Sequence, residues 1–239
     1  MVVTADSVDC YDVRVRTYFD TSFAVFWKRN SCVFYSIIGP GSRSAADTAA
    51  VSNIDSVEYD VAGRVGSSRI WLVLFTKQDS AGMRFLWERA FLPDSLYKPP
   101  APMNTNGQSA FHPRYVQTLP TSPSSFTFDA YSGNVRDIWG VDGSTASRLT
   151  ATPLVDERNC SSTNFPMVTR QFDAVLLSFF YGMYSVYESD SAIVINPGGS
   201  LAASAGYTRA PVMDGYAFGV GGYQVAAVWE SNRSGRTHL

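Results

Sequence analysis

Two histidines, His112 and His238, are the whole stock of imidazole in these 239 residues, so a histidine-based catalytic centre must use one of them. His238 is the penultimate residue, where chains fray. His112 stands before Pro113 in a proline-rich stretch, away from the rigid surround that a Ser–His–Asp or Cys–His base requires. No GxSxG elbow, phosphate loop, HExxH pair or EF-hand loop occurs. Gly219-Val220-Gly221-Gly222 lacks the GxGxxG spacing and reads as a tight turn. We therefore expect a chain without enzymatic chemistry, with no catalytic, cofactor-binding or metal-binding residue assigned and no cofactor.

The acidic groups Asp6, Asp9 and Asp12, then Asp55, Glu58 and Asp60, and Asp156-Glu157 would suit calcium only if they converged. The simpler reading is solvated loop carboxylates, and no two acids stand out as a glycoside-cleaving pair. Cys10, Cys32 and Cys160 show no CxxC spacing, which fits buried thiols in a reducing compartment. Asn159-Cys160-Ser161 and Asn232-Arg233-Ser234 match the glycosylation triplet. Trp27-Lys28-Arg29 and Trp87-Glu88-Arg89 join a stacking ring to a cation, as single-strand nucleic-acid binders do. A net charge of -2 and a pI near 5.7 supply no electrostatic footprint for that. These aromatics read instead as core, flanked by surface charge.

Hydrophobic residues make up 45% of the chain and aromatic ones 14%, enough for a sizeable core. Charged residues reach only 17%, against about 25% in an average soluble domain. Such a surface either faces other protein or consists of Ser, Thr and Gly loops. Lysine occurs only at Lys28, Lys77 and Lys98. The predominance of arginine leans towards fixed, bidentate contacts at protein interfaces. Met1–Asp6 does not resemble a secretory signal, and the apolar run Ala174–Tyr187 is too short for a bilayer about 30 Å thick. A soluble protein is expected.

The elements that must carry these residues read mostly as strands. Tyr11–Phe19 alternates apolar and polar residues, whereas Phe23–Trp27 and Cys32–Ile38 are uniformly apolar and should be buried. Residues 42–56 read as a loop with one helical turn. Strands are expected over Ser56–Gly63 and Arg69–Phe75, and over Met83–Leu92, for which helix is the competing reading. The last two pair through a turn at Lys77–Gly82. Shorter strands follow at Phe126–Phe128, Ile138–Gly140 and Ser147–Thr152, then at Ala192–Ile195 and Gln224–Trp229. Phe172, Val175, Leu176, Phe179, Phe180, Met183, Tyr184 and Tyr187 follow the i, i+3, i+4, i+7 rhythm of a one-faced helix over 172–187. Seven prolines between Pro93 and Pro123 predict that 93–125 forms no regular sheet. We read it as an extended arm across a neighbouring subunit, anchored by Phe111, Tyr115 and Leu119.

Several of these pieces resemble picornavirus-like jelly-roll major capsid proteins (picorna-like, of the dicistrovirus and marnavirus type). Asp12–Asp20 resembles a late strand of that family. Ile70–Phe75 followed by Ser80–Trp87 is similar to the last two jelly-roll strands, and Leu96–Pro100 to the proline-rich tail after them. Phe172–Tyr187 leading into Glu188–Ile195 looks like the family's mid-domain helix and the strand behind it. The turn Tyr187-Glu188-Ser189-Asp190 lacks the family's Arg and Gly, and the later pieces of the jelly roll here precede the earlier ones.

The fold expected is all-β: one antiparallel β-sandwich domain over 1–239, of jelly-roll form, with one principal amphipathic helix near 172–187. The resemblance implies a structural capsid subunit of a small nonenveloped positive-strand RNA virus. It would assemble in the host cytoplasm into an icosahedral virion with copies of itself and sister capsid proteins. Weak contact with genomic RNA is part of that expectation, and membrane contact is not. The alternative is a carbohydrate-binding or adhesin-like β-sandwich, with Tyr131, Trp139 and Tyr223 as sugar platforms.

Overall fold

The computed structural model describes residues 10–19, 22–63, 70–91, 99–116, 125–142, 144–150, 155–168, 179–189, 192–196, 199–203, 208–218 and 222–231. Among them every regular element is a strand. The chain divides into two compact units, Met1–Pro113 and Arg114–Leu239.

The first unit holds two sheets. One runs β1 (Tyr11–Phe19), β2 (Ser22–Arg29), β3 (Cys32–Gly39) and β4 (Ser42–Arg43), with β5 (Asp47–Val51) also on β3. The other runs β6 (Tyr59–Gly63), β7 (Trp71–Gln78), β8 (Arg84–Phe91) and β9 (Ala101–Pro102). Pairing is antiparallel, and the connections between β2 and β3 and between β3 and β4 are two residues long. The turn chemistry accounts for the short connections. Gly41 after Pro40 takes φ 71 and Asn30 takes φ 53, values that glycine and asparagine tolerate. At the β7–β8 turn Asp79 Oδ1 accepts the N–H groups of Ala81 and Met83, each at 2.9 Å, and Gly82 supplies φ 86.

Alternation along the strands puts one face of each sheet into a shared core. Ala24, Phe26, Val33 and Tyr35 come from one sheet and Tyr59, Val61, Trp71, Val73 and Phe75 from the other. Phe26 lies 5.9 Å from Tyr35 and 5.4 Å from Trp71 between ring centroids. Leu72, Leu74 and Thr76, on the opposite face of β7, are buried as well. A strand covered on both sides reads as a continuous apolar run, which is why this one is legible.

The boundary between the units falls inside β10 (Ala110–Tyr115). β10 leads a sheet continued by β11 (Phe126–Ser132), β12 (Val135–Asp142) and β13 (Thr145–Arg148). A second sheet contains β14 (Glu157–Val168), β15 (Phe179–Ser189), β16 (Ala192–Asn196) and β17 (Gly199–Ala203), and β18 (Thr208–Phe218) pairs with β19 (Gly222–Ser231). β14 packs over β11 and β12, and β18 packs over β14, β15 and β16. Described pairings join neighbours in sequence, except that β5 reaches β3 past the two-residue β4.

Three expectations need correction. Residues 179–187 are not helical: they lie in β15, in antiparallel register with β14 from Met167↔Phe180 to Ser161↔Val186, and with β16. Residues 172–178 of the expected helix lie outside the described residues. Phe179–Tyr187 is so densely apolar that it satisfies a period of two as well as 3.6; its rings and its valine favour strand, and Gly182 weakens a helix. Residues 42–56 contain β4 and β5 rather than a helical turn.

The proline-rich stretch does contain sheet, with Pro102 in β9 and Pro113 in β10. Both strands end their sheets in order, and an edge strand tolerates a residue that cannot donate to a further neighbour. Thr105, Ala110, Tyr115 and Val116 are buried within the chain itself, against the reading of an arm ordered by a neighbouring subunit. The anchor Leu119 lies outside the described residues.

Phe75→Ala removes a fully buried ring from the first core. It should destabilise the first unit by about 3–5 kcal/mol, read as a lowered urea midpoint by tryptophan fluorescence.

Candidate functional site

β1 is folded with its polar side inward. Asp12, Arg14 and Arg16 are half-buried, while Tyr11, Val13 (56% exposed) and Val15 (52%) face out. The cause is Asp60 on β6, a buried carboxylate that meets Arg16 Nη2 at 3.2 Å and Arg14 Nε at 3.8 Å. Arg16 Nε also donates to the Val61 carbonyl at 2.7 Å. A carboxylate out of water is costly unless it is paired, so both arginines turn in and the period of two turns the valines out.

Val15 stands opposite Val25 on β2. There Val25, Trp27 and Ile38 form a second cluster with Cys10, Phe23 and Phe34, separate from the central core. Trp27 and Phe34 stack with centroids 6.1 Å apart. Val51 on β5, opposite Cys32, continues this face and is 54% exposed. The outer face of the first sheet is thus apolar across β1, β2, β3 and β5: Val25, Trp27 and Ile38 at its middle are buried, and the valines at its two sides are open. Its edge is blunted: Tyr59 Oη donates to the Asp12 carbonyl, Arg16 Nη1 donates to the Val15 carbonyl at 2.9 Å, and the β1–β2 register shifts twice. Such devices suppress strand addition.

In the second unit the β11–β12 hairpin carries buried charge. Arg136 Nη1 reaches Asp129 Oδ2 at 3.1 Å, while its Nε and Nη2 reach the two Asp156 oxygens at 3.3 Å each. The Asp156 carboxylate also accepts the Arg136 backbone N–H at 3.0 Å and Arg158 Nη1 at 3.4 Å. Burial pushes the Asp156 carboxyl up, but the Arg136 hydrogen bonds and the Arg136 and Arg158 charges outweigh it and hold the group below the usual aspartate value. Burial likewise works against the Arg136 cation, and Asp156, Asp129 and Tyr131 more than compensate, raising its pKa. On the opposite face of the hairpin Asp137 is fully buried and contacts Arg148 Nη2 at 2.6 Å. That contact is an ion pair without hydrogen-bond alignment.

The residues weighed for chemistry are dispersed into these structural roles. His112 sits at φ 46 and its backbone N–H donates to Glu58. Arg84 completes a clasp: Nη1 bonds Glu58 Oε1 at 3.1 Å, its backbone N–H bonds Ser109 Oγ at 3.0 Å, and its guanidinium lies 5.0 Å from the Phe111 ring. Asp12 pairs with Arg14 at 2.8 Å; Asp6 and Asp9 lie outside the described residues. Glu157 is buried rather than solvated, and its Oε2 has no hydrogen-bond partner. Among the described residues no three His, Cys, Asp or Glu side chains gather as metal ligands.

Lys28 donates to the Val57 carbonyl and Arg89 to the Ala49 carbonyl, while Trp87 packs on the first core beneath Lys77, 4.6 Å away. Both aromatic–basic runs are therefore engaged within the fold. Trp139 is half-buried and stacked on Phe128 at 6.3 Å, whereas Tyr131 is exposed. The side chain of Tyr223 lies outside the description. Asn159 has φ 52 in β14, next to the buried Cys160. Sequence reasoning missed Asp129, Asp137, Arg136 and Arg148; the one signal for them was the excess of arginine over lysine. No family model matches the chain, and no curated protein or solved structure matches it significantly.

Two measurements check the charge clusters. Asp156 has a lowered folded pKa, so its contribution to stability is present above the unfolded aspartate value of about 4 and is lost as pH falls through the folded value. Urea midpoints between neutral and acid pH should therefore fall less steeply for Asp156→Asn than for the parent. Arg148→Ala leaves Asp137 buried without its ion partner and should cost about 1–3 kcal/mol in the same assay, whereas Arg148→Lys should recover part of that loss.

Proposed function

We propose that this chain is a structural subunit that works by assembling with copies of itself, the capsid subunit of a small nonenveloped positive-strand RNA virus that its sequence resembles. The observation that carries the assembly reading is the exposure of Val13, Val15 and Val51 at the borders of the first sheet. The internal pairing of Asp60, Glu58, Asp129, Asp137 and Asp156 adds to it, because a chain this poor in charge has little left to keep its surface wet.

Assembly through a face suits a closed shell: each contact is weak, and repetition around symmetry axes makes the sum stable. The blunted β1 edge favours this mode over open-ended strand addition, which leads to fibres. The jelly-roll form belongs to this proposal too. It would add pairings between strands distant in sequence to the successive hairpins described above.

The test is the state of the purified protein by light scattering and negative-stain microscopy. The expected outcome is closed particles or discrete higher oligomers. Val15→Asp combined with Val51→Asp should shift it towards monomer with an unchanged far-ultraviolet spectrum, since both side chains are more than half exposed and exposed positions tolerate substitution. A parent protein that stays monomeric at high concentration, or a double variant that assembles as well as the parent, rules out this face.

A further inference from the structure

We propose that Asn106 is a self-modifying residue: the backbone nitrogen of Gly107 displaces its side-chain amide, and the isoaspartyl product slackens the clasp between β8 and β10. Asn106-Gly107 is the one Asn-Gly pair in the 239 residues, and both residues are exposed. They are the central residues of a turn closed by the Gln108 N–H, which donates to the Thr105 carbonyl at 3.1 Å. Asn106 has φ 54 and Gly107 φ 72, the type I′ combination. Turning the single peptide plane between them gives type II′, which keeps Asn106 at positive φ and leaves the ends of the turn in place. That flip needs negative φ at residue 107, and glycine accepts either sign. In type II′ the ψ of Asn106 is about −120°, where the Gly107 nitrogen eclipses Cβ and comes within reach of the side-chain carbonyl carbon. The space beside Gly107 where a Cβ would sit has nothing within 4 Å, so no neighbour obstructs the movement.

The reaction needs water as its only co-reactant. The Gly107 nitrogen gives up its proton and bonds to Cγ of Asn106, the Cγ–Nδ2 bond breaks, and Nδ2 leaves as ammonia. Water then opens the resulting succinimide ring at one of its two carbonyls. Opening at the side-chain carbonyl restores the backbone with aspartate in place of asparagine. Opening at the backbone carbonyl leaves that carbonyl as a free carboxylate and routes the chain through Cβ and Cγ, one carbon longer. A turn defined by the torsions of two residues cannot absorb an added backbone atom unchanged. Its neighbours are tied to the fold on both sides. Thr105 is buried and its Oγ1 donates to the Gln108 carbonyl at 2.9 Å. Ser109 Oγ accepts the Arg84 backbone N–H at 3.0 Å, and Arg84 holds Glu58, which holds the His112 amide. Lengthening the turn therefore acts directly on the hold of β8 on the entry to β10. The inference concerns the first unit alone and does not depend on the assembly reading.

Peptide mass spectrometry tests it on the intact chain, incubated at mildly alkaline pH and body temperature and sampled over time. Electron-transfer fragmentation locates the change and tells isoaspartate from aspartate. Asn106 should convert at least about tenfold faster than Asn53 and Asn134, which precede Ile54 and Val135, because a branched side chain crowds the attacking nitrogen. Asn106→Gln would have to close a larger ring and should keep its amide over the same interval. The converted protein is separated from the parent by its added negative charge. Its Arg84 amide should show a population exchanging hydrogen at least about tenfold faster than in Asn106→Asp, which carries the same charge on an unaltered backbone. An Asn106 that keeps its amide, or converts no faster than Asn53 and Asn134, overturns the site. Arg84 exchange equal to that of Asn106→Asp overturns the effect on the clasp.

Discussion

A carboxylate removed from water must meet a cation, and that requirement decides which way key strands of this protein face. Asp60 draws Arg14 and Arg16 inward, so β1 presents valines to solvent although it borders an apolar core. Asp129 and Asp156 draw Arg136 between them and fasten the β11–β12 hairpin to the start of β14. Asp137 with Arg148 does the same for the opposite face of that hairpin and β13. Arginine suits the Asp60 and Asp129–Asp156 sites because its planar fork bridges two acceptors at once and stays charged when half-buried.

The backbone is bent where these charges act. Asp12, His112 and Asn159 have φ values of 52, 46 and 52, a region in which side-chain-bearing residues are uncommon. Each is tied down by a partner outside its own strand: Tyr59 on the Asp12 carbonyl, Glu58 on the His112 amide and Asp129 on the Asn159 amide. Such conformations persist only where the surroundings over-determine them. Of these contacts, the one from Asn159 also satisfies a fully buried acid, Asp129.

Internal use of charge and outward display of apolar residues are two sides of one arrangement. With 17% charged residues, the pairs drawn inside are no longer available to cover the surface, and the exposed valines of β1 and β5 are where the deficit shows. The blunted β1 edge discourages unlimited strand pairing.

Much of the first unit was legible in the sequence. Tyr11–Phe19, Phe23–Trp27, Cys32–Ile38 and Arg69–Phe75 announce strands by period and by β-branched and aromatic content, and the short turns carry Gly, Asn or Asp where the backbone requires them. The sequence by itself determined the all-β class and the β7–β8 hairpin, because those depend on local propensity and on chain neighbours. Only the tertiary structure decided the rest. Whether Phe179–Tyr187 winds into a helix depends on β14 and β16 lying alongside it, and a uniformly apolar run fits either period. Whether Pro102 and Pro113 exclude sheet depends on their being at an edge, which is a property of the sheet order and not of the residue. The face shown by β1 could not be read from its alternation, since a strand with arginines on one side and valines on the other is ordinarily placed with the valines in. A buried carboxylate 44 residues away from Arg16 in the chain reverses that choice, because leaving Asp60 unpaired costs more than exposing two valines.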